Sequence, residues 1–297
     1  MSSREIHQIT GLHVRKLKRK FVQTLYFTDG LPLLFVSNAK AACTTVKRSL
    51  WRAARPETLT AQSNVHNRKD GPFADDIATA VRMHLATLPQ LAKFSVVRNP
   101  YARVISAYRN KVLRNLNTKA WQEMAARYAL RPDEAVSLET LLTCLREDDP
   151  YWIDPHFAPQ TVNLSLDLIN FDLICQLEKV EVLERFLGIH NVQMTSHRAH
   201  QTNAGQITDF ATVLSPRELD LVAEIYADDF AAFHYAFDPA QTQPTAPVVP
   251  QPKDEALLQT LMSLAGAENG QDLHAAAQAM IARAPQLASH PLLQANG

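Results

Sequence analysis

Neither sign of charge prevails in this chain, since 30 lysines and arginines stand against 30 aspartates and glutamates. No global field draws it to a polyanion, so no nucleic-acid partner is expected. Cysteine is scarce. Cys43, Cys144 and Cys175 are odd in number and scattered, so neither a disulfide framework nor metal spacing emerges from them, and a reducing compartment fits best. The histidines of 190–205 (His190, His197, His200) lack zinc-site spacing, and no metal is expected. No apolar run approaches a membrane span and Met1 opens no signal-peptide pattern, so the expected location is cytoplasmic. G-x-x-x-x-G-K-[ST] is absent, which removes a Walker-type loop. What remains is a chain of 297 residues, 46% apolar, with ample material for a core.

The stretch from Leu33 to Leu50, LLFVSNAKAACTTVKRSL, organises the rest. Leu33 to Val36 is a short apolar run, too short for a helix and right for a buried strand. Ser37 and Asn38 break it, and a helical pattern follows with Cys43, Val46 and Leu50 on one face. A strand turning sharply into a helix aims backbone N–H groups out of the helix N-terminus. With the Lys40 ammonium they form an anion site suited to phosphate or sulfate. Ala41 and Ala42 let the backbone approach a ligand, and Thr44 and Thr45 add hydroxyls. A plain βα turn with a chance lysine is the alternative reading of these residues. A second unit of the same kind follows: a strand from Lys93 to Val97, a stop at Arg98-Asn99-Pro100, and a helix from Tyr101 to Asn115. Arg98 at the strand end, with Arg103 and Ser106 on one helix face, can grip a second phosphate. Two such sites suggest a ligand with phosphates at both ends.

AKAACTTVKR and FSVVRNPYARVISAYRNK together resemble the two nucleotide-binding motifs of the carbohydrate sulfotransferases, the Golgi enzymes acting on chondroitin and related glycans, and their bacterial relatives. Those carry P-K-x-A-C-T-x-W-K-R for the 5′-phosphosulfate and V-R-x-P-x-x-R-x-x-S-A-Y for the 3′-phosphate. This chain departs at Ala39, where proline is usual, and at Val46, where tryptophan is usual; neither change removes a phosphate donor. Further matches are Val65-His66, His156-Phe157-Ala158-Pro159-Gln160, Phe171-Asp-Leu-Ile, Glu178, and Tyr226-Ala-Asp-Asp229-Phe230 to Tyr235. The cysteine pair that Golgi relatives carry before the FDLI strand is missing. The resemblance implies an enzyme that moves a sulfuryl group from 3′-phosphoadenosine 5′-phosphosulfate (PAPS) to a hydroxyl, without a metal. It implies Lys40 at the bridging oxygen, the 40–45 loop (Lys40, Ala41, Ala42, Cys43, Thr44, Thr45) on the 5′ side, and Arg98, Arg103 and Ser106 on the 3′ side.

Transfer to an alcohol needs a base, and histidine is suited to that near neutral pH. His66 aligns with the family's V-H or A-H position and is expected on a loop. His84 is the weaker candidate, within a helical pattern from Ala74 to Leu91. Trp152, His156 and Phe157, in a proline-punctuated aromatic stretch, are acceptor-site candidates or simply pack the loop down. The acceptor class is a carbohydrate or glycolipid, with a small hydroxylated metabolite or a protein still open. Two rivals are a non-catalytic nucleotide-binding scaffold and a kinase-type phosphotransferase; the second would need a glycine-lysine loop and metal-binding carboxylates.

The expected fold is α/β, a central, mostly parallel sheet flanked by helices, with the P-loop-like phosphosulfate loop that the resemblance implies. The expected organisation is a basic N-terminal segment 1–32, a transferase domain 33–240, a proline-rich extended linker 241–252 and a helical appendage 253–297. The cluster Arg15 to Lys20 is either a solvated helix face or a surface for anionic lipid. The two C-terminal helices are expected to dock on the main domain or on a partner. Helical patterns are also expected from Trp121 to Asp149, with Ser137 as an N-cap, and after Ser215.

Overall fold

The computed structural model describes residues 22–74, 87–166, 169–195 and 207–252. His84, the basic cluster at 15–20, His197, His200 and both expected C-terminal helices lie outside the described residues.

Among the described residues, four strands form one sheet in the order β1-β2-β3-β4: β1 (Leu25–Phe27), β2 (Leu33–Val36), β3 (Ala92–Val97) and β4 (Leu173–Gln176). β2, β3 and β4 run parallel, and β1 pairs antiparallel to β2 with Tyr26 opposite Phe35. The sheet therefore begins inside the stretch expected as an N-terminal segment. Three residues of strand are too few to show a period of two, so the pattern concealed β1.

The central strands read as continuous apolar runs because helices cover both faces. Leu34, Val36, Val97 and Ile174 point to one core, and Leu33, Phe35, Phe94, Val96 and Cys175 to the other. The second core is closed by α1 (Cys43–Ala54), through Val46, Leu50 and Trp51, and by residues of a helix after β4. On the first lie α2 (Pro100–Tyr108), α3 (Lys119–Arg127) and α4 (Leu138–Arg146). The short α5 (Gln160–Asn163) precedes β4, α6 (Val180–Ile189) is the helix that follows it, and α7 (Pro216–Ile225) and α8 (Ala227–Ala232) complete the order.

Two expected helices come out shorter. The pattern over 121–149 divides into α3 and α4, because Pro132 has no N–H for a helix and Ala129 sits at φ 52°. Ser137 does cap α4, accepting from the Thr140 N–H, and Leu138, Leu141, Leu142 and Leu145 are buried. The helix after Asn99 is α-helical only to Tyr108, then widens into a π-turn, Arg109–Leu113, a local form that recurs at functional sites. The stretch 241–252 folds back on the protein: the Gln176 side-chain amide donates to the Ala246 carbonyl at 2.7 Å, and the Thr245 N–H to the His234 carbonyl at 2.8 Å.

Candidate active site

Parallel strands place their C-terminal ends together, so the loops after β2, β3 and β4 meet at one edge of the sheet. After β2, the chain turns through Lys40 at φ 68° and Ala42 at φ 56°, both left-handed without being glycine. Such positions cost about 1–3 kcal/mol each and persist where surroundings enforce them. The turn starts α1 at Cys43 with no side-chain cap and no acidic residue in its first turn. An uncapped N-terminus of a twelve-residue helix faces the Lys40 side chain, an arrangement that favours an anion.

What enforces the turn is a set of buried polar side chains. The Arg103 guanidinium, 1% exposed, donates through Nε to the Ala39 carbonyl at 3.0 Å and through Nη2 to the Pro155 carbonyl at 2.9 Å. Arg98 reaches the Lys40 carbonyl through Nη1 at 3.4 Å. Gln160 locks the end of β3: its Oε1 accepts from the Arg98 N–H at 2.9 Å and from Asn38 Nδ2 at 2.8 Å, while its Nε2 donates to the Arg98 carbonyl at 2.9 Å. Asp229, fully buried, accepts from the N–H groups of Gln160 at 2.8 Å and Thr161 at 2.9 Å and so caps α5. Glu178 accepts from the Asn99 N–H at 3.0 Å and the Tyr235 hydroxyl at 2.6 Å. Gln160, Glu178, Tyr226, Asp229 and Tyr235, all within the motif matches, hold the loops of the site.

The charges inside are unbalanced. Burial, above all, lowers Lys40 from 10.5 to about 8; Cys43 opposes this, while Lys111, Arg98 and Arg103 push the same way. Arg98 and Arg103 are also lowered by burial, with Glu178 the chief opposing charge for the first and Asp229 for the second. Lys111 comes from the π-turn and had not been singled out. Among the described residues, no group of three or more histidine, cysteine or carboxylate side chains is placed to hold a metal ion.

The expected residues sort as follows. Lys40, Ala41, Ala42, Cys43, Thr44 and Thr45 form the loop and first turn of α1, with Ala41 buried. Arg98 lies beside that loop, and Ser106 is buried one turn beyond Arg103. Arg103 is buried and donates to two carbonyls, so it acts as a strut between the loops before Lys40 and before His156. His66 is exposed, and its ring lies between two partners: Nε2 at 3.1 Å from Thr44 Oγ1 and Nδ1 at 3.3 Å from Lys47 Nζ. An ammonium only donates, so Nδ1 accepts from Lys47 and Nε2 carries the proton toward Thr44. Phe157 is fully buried in the core, with its carbonyl accepting from the Tyr226 hydroxyl at 2.6 Å, which settles its ring as packing. Trp152 is half-buried.

His156 is 29% exposed at its side chain and stands differently from His66. Its Nδ1 lies 2.7 Å from Asp154 Oδ1, which also accepts the His156 backbone N–H at 2.9 Å. Burial lowers the imidazole below its ordinary value, Asp154 opposes that, and Lys111 and Lys40 add to it. Asp154 was missed, although an aspartate two residues before a histidine in D-P-H is a readable Asx-turn signal.

A model of a protein family described as "Sulfotransferase family" matches residues 23–236. The chain is 24% identical over 234 residues to human carbohydrate sulfotransferase 14, covering 73% of this chain and 61% of that protein. It is 27% identical over 176 residues to carbohydrate sulfotransferase 11 of Rattus norvegicus, covering 50% of this chain and 48% of that protein. The chain thus spans about half to three-fifths of the length of these relatives. No solved structure matches it.

Proposed function

The chain belongs to the sulfotransferase family, and from that premise we propose that it transfers a sulfuryl group from PAPS to a hydroxyl of a carbohydrate or glycoconjugate. The observation that carries this reading is the meeting of Lys40 with the charges of Lys111, Arg98 and Arg103 beside one uncapped helix N-terminus, where, after burial, those cations make Lys40 harder to charge. A site of that kind is stabilised by a polyanion, and the relatives' names supply the carbohydrate acceptor.

The donor supplies an activated sulfuryl group on a phosphate leaving group. The loop from Lys40 to Thr45 takes the 5′ end as a P-loop-like cradle: backbone N–H groups at the start of α1, the hydroxyls of Thr44 and Thr45, and the Lys40 ammonium. Arg98 and Ser106 take the 3′-phosphate. Arg103 holds the cradle's carbonyl side, so its contribution is to shape. The chain Lys47 to His66 to Thr44 orients the Thr44 hydroxyl toward the cradle, because Thr44 oxygen accepts from His66 and its own proton points onward. His66 as the base would first have to give up Lys47. The transferase region is read as 33–240 together with the β1 segment, and no helix among the described residues is long and apolar enough to cross a membrane.

Thermal shift tests the reading. Adenosine 3′,5′-bisphosphate should raise the melting temperature well above what 5′-AMP achieves at equal concentration, since only the first fills both grips. Equal shifts would overturn the two-phosphate assignment. Arg98→Ala should weaken bisphosphate roughly ten- to a hundredfold, the range for losing a charge-assisted contact.

A further inference from the structure

We propose that the Asp154–His156 pair is the proton-accepting base of the transfer, held at a fixed distance from the phosphate loop by the Arg103 strut. The inference rests on the sulfuryl-transfer reading and adds to it a second histidine, one that the aromatic stretch offers as an acceptor-site candidate. Three observations carry it.

The first is orientation. A carboxylate accepts only, so Asp154 Oδ1 at 2.7 Å requires the proton of His156 on Nδ1. Nε2 is then the basic nitrogen, and among the described residues it has no hydrogen-bond partner. His66 has the opposite tautomer, with its basic nitrogen spent on Lys47. A base needs an open lone pair, and of these two rings His156 has it.

The second is position. Arg103 bonds the carbonyls of Ala39 and Pro155 with adjacent nitrogens of one guanidinium, at 3.0 and 2.9 Å. Those carbonyls belong to the residues immediately before Lys40 and immediately before His156. One planar group therefore sets the spacing between the leaving-group lysine and the candidate base.

The third is rigidity. The Pro155 carbonyl also accepts from Asn163 Nδ2 at 2.8 Å, the Asp154 carbonyl accepts from the N–H groups of Phe157 and Ala158 at 2.8 Å, and Tyr226 holds the Phe157 carbonyl at 2.6 Å. A half-exposed histidine on a loop fixed at so many points is preorganised, and preorganisation is what catalytic geometry needs.

The step balances without a further reactant. The acceptor hydroxyl gives its proton to Nε2 of His156 as its oxygen bonds to sulfur. The bond from sulfur to the bridging oxygen breaks, and its electron pair stays on the leaving phosphate oxygen, opposite Lys40. The imidazolium, stabilised by Asp154, returns the proton to water. The charged groups that face His156 are Asp154 on its own loop, Lys111 on the π-turn and Lys40 on the phosphate loop, with the strut Arg103 behind. Burial first, and then the two lysines, favour the neutral imidazole, whose lone pair can take a proton; the aspartate opposes them.

The test has a spectroscopic and a kinetic arm on the full chain. In 15N-histidine-labelled protein, ring-nitrogen NMR above neutral pH should find His156 as the Nδ1–H tautomer and His66 as Nε2–H, each assigned by its loss in His156→Gln or His66→Gln. An Nε2–H tautomer at His156 overturns the proposal. In the kinetic arm, PAPS consumption is followed with chemically desulfated chondroitin as the acceptor probe. His156→Ala should lower kcat about 10²–10⁴-fold and keep the calorimetric affinity for adenosine 3′,5′-bisphosphate. Asp154→Asn should move the acidic limb of the pH profile to lower pH, because the group that raises the imidazole's pKa has gone. Full turnover in His156→Ala, or an unmoved limb in Asp154→Asn, overturns the dyad and leaves the transferase reading standing. A wild-type protein that binds no bisphosphate and consumes no PAPS overturns the transferase reading itself.

Discussion

On the proposed function, Lys40 is the residue at which folding and ligand binding are coupled. Its amine is held down to about 8 from 10.5 by burial first, so the folded protein prefers it neutral. That preference adds stability in full above 10.5, and the contribution is lost as pH falls through about 8. An anion prefers the ammonium, so ligand affinity runs the other way. Between about 8 and 10.5, thermal stability of the free protein should rise with pH while affinity for adenosine 3′,5′-bisphosphate falls, approaching tenfold per unit at the limit. Calorimetry at three pH values measures the second slope, and Lys40→Met should flatten both. Parallel slopes would contradict the assignment. At Arg103 the expected effect is on the fold: Arg103→Leu leaves two carbonyls without donors and Asp229 without its cation, a loss of about 3–5 kcal/mol by urea unfolding. Arg103→Lys keeps charge but lacks the fork, so it should recover part of the stability and little of the turnover.

At the scale of elements, what was legible was what is local. β2, β3 and β4 announce themselves as short apolar runs, and the caps at Ser137 and Ser215 as side chains in the right place. The capping box of α7 is complete: Glu218 N–H donates to Ser215 Oγ at 3.2 Å, and Ser215 N–H to Glu218 Oε2 at 2.8 Å. Ser215→Ala should therefore cost about 1 kcal/mol in urea unfolding and leave bisphosphate affinity unchanged, since nothing in that cap touches the phosphate loop. A change in affinity would show α7 coupled to the site in a way its contacts do not provide. What was not legible depends on partners far along the chain. Arg103 reads as a phosphate grip on its helix face, and only folding brings the Ala39 and Pro155 carbonyls to it. The left-handed backbone at Lys40 and Ala42 has no glycine to advertise it. The widening of the helix at Arg109–Leu113, which brings Lys111 toward Lys40 and His156, leaves no trace in a 3.6-residue period.

At the scale of the whole sheet, the two sides differ: among the described residues β1 closes one edge with three residues, and β4 forms the other. An open edge strand invites another chain, and proteins cover such edges. Here the cover is the proline-rich stretch around Pro244 to Val248, whose prolines offer few N–H donors for further pairing. Gln176, at the end of β4 and 4% exposed, is the fastener. Its Nε2 donates to the Phe233 carbonyl at 2.8 Å and to the Ala246 carbonyl at 2.7 Å, joining the strand to the end of α8 and to the strap together. The strap also meets the donor side of the site, where Asn99 Nδ2 approaches the Thr242 carbonyl at 3.4 Å while Asn99 Oδ1 caps α2. Gln176→Ala removes both hydrogen bonds at once and leaves the buried Phe233 carbonyl without its donor, an expected loss of about 1–3 kcal/mol. Limited proteolysis should then cut within 241–252 faster than in wild type, and light scattering should report growth of larger species as β4 is uncovered. Bisphosphate affinity should change far less than stability, because the contact to Asn99 is long and the α2 cap does not depend on it. A Gln176→Ala protein that melts, resists protease and stays monodisperse like wild type would show that the prolines hold the strap down by packing alone.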